Sequence, residues 1–312
     1  MGHGIADMQL QFYTLDVFTE HRFSGNPLAI VLGADDLDTE AMQRIAGEFN
    51  LSETVFVMKP DNPAHNARIR IFAPGAELPF AGHPTIGTAI LLAELRAQQG
   101  FDGTSALVAL EEAIGVVRAG VRRESGRPSF AEFDAPRLPV PEASVPAIDD
   151  IAAAVNLMPS EIGFANHAPI RVKTGVSQLF VPVRSMAAIT KAEPNLARWR
   201  SLSDEAEGTG AFLYTGETQH RTAHFHARFF APHHGVLEDP ATGSAAVAFA
   251  GVLTHFDQPH DGTHKRRIEQ GYAMGRPSLI TVSLDVTGRK LTNVRISGHA
   301  VPVTSGQITV SD

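Results

Sequence analysis

The chain contains no cysteine. That excludes disulfides, thiolate metal centres and any thiol acting as nucleophile or base. Basic charge is thin: 26 Lys and Arg against 34 Asp and Glu give a formal net charge of -8, and no Lys/Arg cluster is available to track a phosphate backbone, so nucleic acid is not an expected partner. Long hydrophobic runs are missing too. "IGTAILLAEL" falls well short of a membrane span, and the opening "MGHGIADMQLQFYTLDVF" has no basic segment followed by an apolar one. The expectation is a soluble cytoplasmic protein that engages neither membrane nor nucleic acid.

At 312 residues the chain exceeds the usual size of one compact core, so two domains or one large one are both compatible with its length. Short β-rich runs broken by Gly, Pro and Asp alternate with a few helical stretches, an α+β pattern. Strands are expected at 12–19, 27–33, 54–59, 67–73, 179–183 and 278–286. A helix is expected over 39–50, where Met42, Ile45, Ala46 and Phe49 recur at helical spacing behind Glu40. The stretch 123–150 is rich in Pro, Ser and acids and is the best place to look for a linker.

An internal repeat is the most informative feature. "ARIRIFAPGAELPFAGHPTIGTAILLAEL" (67–95) answers "FHARFFAPHHGVLEDPATGSAAVAFAGVL" (225–253). Arg70 matches Arg228 and Ala73-Pro74 matches Ala231-Pro232. After a two-residue slip, Pro84, Gly87, Thr88 and Ala89 match Pro240, Gly243, Ser244 and Ala245, and His83 falls opposite Asp239. Each copy reads as a strand, a loop and a helix that is apolar nearly all round, which belongs inside a domain. The first turn of such a helix has backbone N–H groups in need of a partner. Thr85 or Thr242 can cap one of them, whereas a bound anion would satisfy several. Two such helix starts facing each other across the seam between halves would form a carboxylate-binding cleft.

Glu53 supplies a third group. If "LSETVFV" alternates, Leu51, Glu53, Val55 and Val57 share a face on which Glu53 alone is polar. A carboxylate on an apolar face tends toward a raised pKa, the tuning that acid/base chemistry near neutrality requires. A Glu53 left in the loop before the strand would instead point to water.

"GNP" (25–27), "NLSET" (50–54), "ELPFAGHPTIGTA" (77–89), "EDPATGSAA" (238–246) and "GRPS" (275–278) together resemble the PhzF family, named for its phenazine-biosynthesis isomerase. The resemblance implies the diaminopimelate epimerase-like fold: two pseudo-symmetric halves, each wrapping a mixed sheet around a central apolar helix. The expected division is 1–128 with Glu53 and His83, 129–300 with Asp239, and a C-terminal strand at 301–312 returning to the first half.

By similarity the catalytic residues are Glu53, His83 and Asp239, and the helix starts with Gly82, Thr88, Gly243 and Ser244 hold the substrate carboxylate. The family's phenazine enzyme acts without a cofactor on trans-2,3-dihydro-3-hydroxyanthranilate. Glu53 would take a proton from ring carbon C3 and return one at C1, while His83 and Asp239 orient the amino and hydroxyl groups. One carboxyl can serve both carbons on one face of the ring. The diaminopimelate epimerase and proline racemase relatives use two cysteines on opposite faces, chemistry this chain cannot perform. The expected partner is a small carboxylate, and the family resemblance implies a homodimer. A non-catalytic protein of the same fold that merely binds a small acid is the alternative.

"HFHARFFAPHHG" places His224, His226, His233 and His234 close together, the first two on one face of a strand. No HExxH or facial-triad spacing accompanies them. They read as histidines on the wet side of an edge strand, with no metal expected.

Overall fold

The computed structural model describes residues 8–100, 103–202, 210–232 and 236–310. The chain runs through β1 (Met8–Val17), β2 (Asn26–Leu32), α1 (Thr39–Phe49), β3 (Glu53–Met58), β4 (Ala67–Ala73), β5 (Ala76–Leu78), α2 (Gly82–Gln98), β6 (Ser105–Glu112) and β7 (Gly115–Arg122). It continues through β8 (Phe130–Asp134), β9 (Val140–Glu142), α3 (Ile148–Ala154), β10 (Ile170–Lys173), β11 (Ser177–Pro182), α4 (Met186–Lys191), α5 (Leu196–Trp199) and β12 (Gly210–Thr215). The last elements are β13 (Phe225–Ala231), β14 (Val236–Asp239), α6 (Gly243–Phe256), β15 (Gly262–Gln270), β16 (Ser278–Thr287) and β17 (Lys290–Val310). Residues group into two compact units. Unit 1 is Met1–Phe23, Pro27–Ala131 and His299–Asp312; unit 2 is Ser24–Asn26 and Glu132–Gly298.

In unit 1, β2 runs parallel to β3, β3 antiparallel to β4, β4 parallel to β6 and β6 antiparallel to β7. Residues 300–310 of β17 pair antiparallel with β1, which also pairs with β2. α1 begins where the Asp38 side chain accepts a hydrogen bond from the Ala41 N–H at 2.7 Å. It ends at Asn50, whose φ of 49° is the left-handed cap conformation that asparagine tolerates. Its apolar stripe, Met42, Ile45 and Ala46, packs on Phe56 and Phe72. α2 has no polar stripe in its first three turns: every residue from Gly82 to Leu91 is buried. Gly87 lets the helix lie close to the strands, because a Cβ there would sit 2.6 Å from Leu28 Cδ2 and 2.9 Å from Val17 Cγ2.

Unit 2 follows the same order of pairings. β11 is parallel to β12, β12 antiparallel to β13, β13 parallel to β15 and β15 antiparallel to β16. A short hairpin strand precedes the apolar helix in each unit, β5 on β4 and β14 on β13. α6 is buried from Ala245 to Leu253, and Phe249 meets Tyr214 and Phe225 edge-on with ring centroids 4.8 and 5.1 Å apart. A second cluster joins Ile151, Ile189 and Trp199 of the short helices to Leu179, Leu213 and Phe230 on the strands.

The repeated arginines show how far the resemblance between copies extends. Arg70 makes a bidentate pair with Glu77, Nε to Oε1 at 2.7 Å and Nη2 to Oε2 at 2.6 Å. Arg228 does the same with Glu238 at 2.9 and 2.8 Å. Each guanidinium also lies over the phenylalanine two residues on, Phe72 at 5.1 Å and Phe230 at 4.8 Å. Each bracket closes the hairpin that leads into the apolar helix.

The passage from unit 1 to unit 2 at Ala131 and Glu132 falls inside the stretch 123–150, which also carries β8 and β9 and the start of α3. Two sequence expectations are corrected. Leu51 lies outside β3, so the alternating face begins at Glu53 itself. The histidine segment is not a wet edge: β13 is flanked on both sides, by β12 and β15, and His226 is buried. Its Nδ1 lies 2.7 Å from Oε1 of the fully buried Glu269, which also accepts the backbone N–H groups of Gln219 and His220 at 2.7 and 2.6 Å. His224 precedes the strand, and His233 and His234 lie outside the described residues. Among the described residues no group of three or more acids and histidines is placed to hold a metal, and no helix is long and apolar enough to cross a membrane.

Candidate active site

In unit 1, the first residue of β3 and the second of α2 bring a carboxylate and an imidazole together. Glu53 is fixed by the parallel register that sets it opposite Leu28. Its Oε2 lies 3.2 Å from Nε2 of His83, with side-chain exposures of 17% and 4%. The contact is close but lies off the in-line direction of a hydrogen bond. Burial disfavours the imidazolium and pulls the His83 pKa down to about 3, so this histidine is neutral at ordinary pH. Gly82 and Thr88 are buried on the same helix, and the Thr88 hydroxyl has no hydrogen-bond partner among the described residues.

In unit 2, Asp239 ends β14 and is held from several directions. Oδ1 accepts from Asn26 Nδ2 at 2.8 Å, and Oδ2 accepts from the Thr242 hydroxyl. The Asp239 carbonyl accepts from Gln270 Nε2 at 2.8 Å. Gln270 also accepts the Thr242 N–H at 3.2 Å, and Asn26 Nδ2 reaches the Ala241 carbonyl at 2.9 Å. Behind this loop, Gly271 adopts φ +79°, and a Cβ there would fall 2.4 Å from the Arg276 carbonyl oxygen and 2.6 Å from that of Pro240. Gly243 and Ser244 open α6, and Ser244 Oγ accepts from Gln178 Nε2 at 3.4 Å.

Neither threonine caps its helix in the expected way. The N-cap of α2 is Ala81, and the Thr85 hydroxyl lies 2.9 Å from the Ala81 carbonyl and 2.8 Å from Glu112 Oε1. Thr242 occupies the N-cap of α6 but makes no side-chain cap bond, its hydroxyl turning to Asp239. In both copies the hydroxyl is turned to a nearby carboxyl instead of a helix N–H, Thr85 to Glu112 and Thr242 to Asp239.

Sequence reasoning missed Asn26, Thr242 and Gln270 as partners of Asp239, and Glu112 altogether. Asn26 and Thr242 stand inside quoted motifs; Gln270 and Glu112, at strand ends, carry no local signal. Because Gln270 is fully buried, Gln270→Leu strands the Asp239 carbonyl and the Thr242 N–H. The expected loss is about 2 kcal/mol in urea unfolding; a change under about 0.5 kcal/mol means the network does not hold the loop.

Known proteins match nearly the whole chain. A family model described as phenazine biosynthesis-like protein covers residues 15–306. An uncharacterised isomerase of Mesorhizobium japonicum is 48% identical over 307 residues, covering 97% of this chain and 100% of that one. The trans-2,3-dihydro-3-hydroxyanthranilate isomerase of Pseudomonas aeruginosa is 34% identical over 299 residues, covering 95% and 98%. The crystal structure of a Bacillus anthracis phenazine biosynthesis protein of the PhzF family aligns with a TM-score of 0.86 at 26% identity, covering 97% of this chain and 100% of that one.

Proposed function

The chain belongs to the PhzC-PhzF family of phenazine biosynthesis-like proteins, and we propose that this isomerase moves a proton on a small cyclic carboxylate of the trans-2,3-dihydro-3-hydroxyanthranilate type, with Glu53 as acid and base. The observation that carries the reading is the contact between Glu53 and a neutral His83. An imidazole with a pKa of about 3 holds a proton poorly, which leaves the carboxyl as the member of the pair assigned to take a proton up and give it back during turnover. In the proposed step Glu53 removes the proton from C3, the electron pair shifts through the conjugated system, and the carboxyl returns a proton at C1. One C–H bond breaks and another forms, with no net oxidation and no call for a cofactor.

His83 touches the carboxyl and orients it. Asp239, held by Asn26 and Thr242, is assigned the substrate's polar substituents, and the starts of α2 and α6, with Gly82, Thr88, Gly243 and Ser244, its carboxylate. The shared order of pairings and the matching Arg–Glu brackets support reading the two units as pseudo-symmetric copies, each with strands laid around its own apolar helix.

The test is proton NMR of trans-2,3-dihydro-3-hydroxyanthranilate in deuterated water with the wild-type protein. The expected result is loss of the C3 proton signal, with deuterium appearing at C1 of the product. A substrate that stays unlabelled at stoichiometric enzyme overturns the assignment of substrate class. Line broadening without exchange would mark a protein that binds this acid without turning it over.

A further inference from the structure

A second acid of unit 1 stands apart from the chemistry assigned so far. Glu112 ends β6, is 8% exposed, and its Oε2 has no hydrogen-bond partner among the described residues. Its Oε1 lies 2.8 Å from the Thr85 hydroxyl, which also lies 2.9 Å from the Ala81 carbonyl. A hydroxyl has one proton to donate, and a carbonyl can only accept. The Ala81 carbonyl also accepts the Thr85 N–H at 3.3 Å, and with Glu112 in its acid form both hydroxyl contacts are used at once: Glu112 donates to Thr85, and Thr85 donates to Ala81. An ionised Glu112 would leave two acceptors competing for one proton, with a bare carboxylate in a buried place.

The surroundings agree. Burial pushes the Glu112 carboxyl up to about 8. Arg68, Arg70, Asp35, Asp61, Glu77 and Glu111 line the same cavity of about 410 Å³. The cations there are engaged elsewhere, Arg70 with Glu77 at 2.6 Å and Arg68 with Asp61 at 3.1 Å, and Glu111 faces His65 at 2.7 Å. α2 offers Glu112 only the Thr85 hydroxyl, and β7 turns Val117, Ala119 and Val121 inward while Arg118 and Arg122 are exposed.

We propose that Glu112 is a positioning residue for the Glu53–His83 pair, donating its carboxyl proton to Thr85, whose hydroxyl donates in turn to the Ala81 carbonyl at the start of α2. Ala81 precedes Gly82 and His83, so this chain of hydrogen bonds fixes the backbone from which the imidazole projects. The role in turnover rests on the reading of Glu53 as the acid/base; the hydrogen-bond chain does not.

Three readouts test it. The first is unfolding against pH for wild type and Glu112→Gln, the amide keeping a donor toward Thr85. The folded carboxyl holds its proton up to about 8, whereas the unfolded one releases it near 4.5. Stability is therefore greatest below the unfolded value and falls as pH rises to the folded one. Between those limits the unfolding constant of wild type, relative to that of Glu112→Gln, rises about tenfold per pH unit. Parallel curves overturn the acid form.

The second is the ring NMR signal of His83 in protein carrying labelled histidine, assigned by its loss in His83→Asn. Thr85→Val and Glu112→Leu shift it, and Glu112→Gln leaves it in place. If the signal is unmoved in Thr85→Val, which keeps the shape of the side chain should Glu112→Leu not fold, the positioning role is overturned. The third is turnover: Thr85→Val lowers kcat about ten- to a hundredfold with KM nearly unchanged, Glu112→Gln keeps it, and only wild type loses activity on an alkaline limb near pH 8. A shifted His83 signal with unchanged turnover sinks the catalytic reading of the Glu53–His83 pair and leaves the hydrogen-bond chain standing.

Discussion

Glu53→Gln lowers the rate of C3 proton exchange by about a thousandfold or more while leaving the fold and KM nearly unchanged. The amide matches the carboxyl in size and can still sit 3.2 Å from His83 Nε2, and Glu53 is at the first residue of β3, partly open rather than sealed in the core. What it loses is the ability to take and return a proton. No other described group replaces it in this pair, because His83 is held neutral by burial and titrates near 3. Glu53→Asp keeps the chemistry and withdraws the carboxyl by one methylene, so about a hundredfold loss is expected from misplacement alone. His83→Asn removes the ring that orients the carboxyl and falls between these two. The decisive measurement is single-turnover exchange in deuterated water. If Glu53→Gln stays within tenfold of wild type, Glu53 is not the base and the assignment of the site fails.

The elements most legible in the sequence were those whose cause is local. Helical spacing of Met42, Ile45, Ala46 and Phe49 behind Glu40 places α1 to within a residue, and β4 is read at its observed bounds. The run of apolar residues around Gly87 and the one after Gly243 marked helices buried on all sides. The family was legible because several separated motifs coincide. The hidden part consists of partners. Asn26 and Asp239 meet across 213 residues, His226 and Glu269 across 43, and Thr85 and Glu112 across 27. Periodicity describes the face of one element and says nothing about what the next element brings to it. For the same reason His226 read as solvent-facing: a strand's alternation does not reveal whether a neighbour lies on each side of it. Thr85 and Thr242 read as helix caps because capping is the commonest local option, and each turned instead to a carboxyl, Glu112 27 residues on and Asp239 3 residues before.

Arg228→Met destabilises the protein by about 3 to 5 kcal/mol, although the residue touches none of the proposed reacting groups. Its guanidinium and the Glu238 carboxylate are 8% and 15% exposed, and they bind through two parallel hydrogen bonds. Nη1 also donates to the carbonyls of Ile189, Thr190 and Ala192 at 3.0, 3.1 and 2.6 Å, closing the C-terminal end of α4, where a helix has no partners of its own. Methionine fills much of the volume but leaves a buried carboxylate without its cation and takes the arginine donor from three carbonyls, of which that of Ile189 keeps the Ala192 N–H. Arg70→Met, in the matching bracket of unit 1, is the internal comparison. There the partners are 27% and 36% exposed, solvent can replace the lost arginine, and about 1 kcal/mol or less is expected. Adding Glu238→Leu to Arg228→Met recovers most of the loss, since removing both charges of a buried pair costs far less than removing one. Urea unfolding of the three variants beside wild type decides the matter. Equal losses for Arg228→Met and Arg70→Met would mean that burial does not set the strength of these brackets. The predicted inequality isolates one of the two adjacent acids of "EDPATGS": Glu238 closes the hairpin that carries the loop, whereas Asp239, one residue on, takes no part in the bracket and accepts from Asn26 and Thr242.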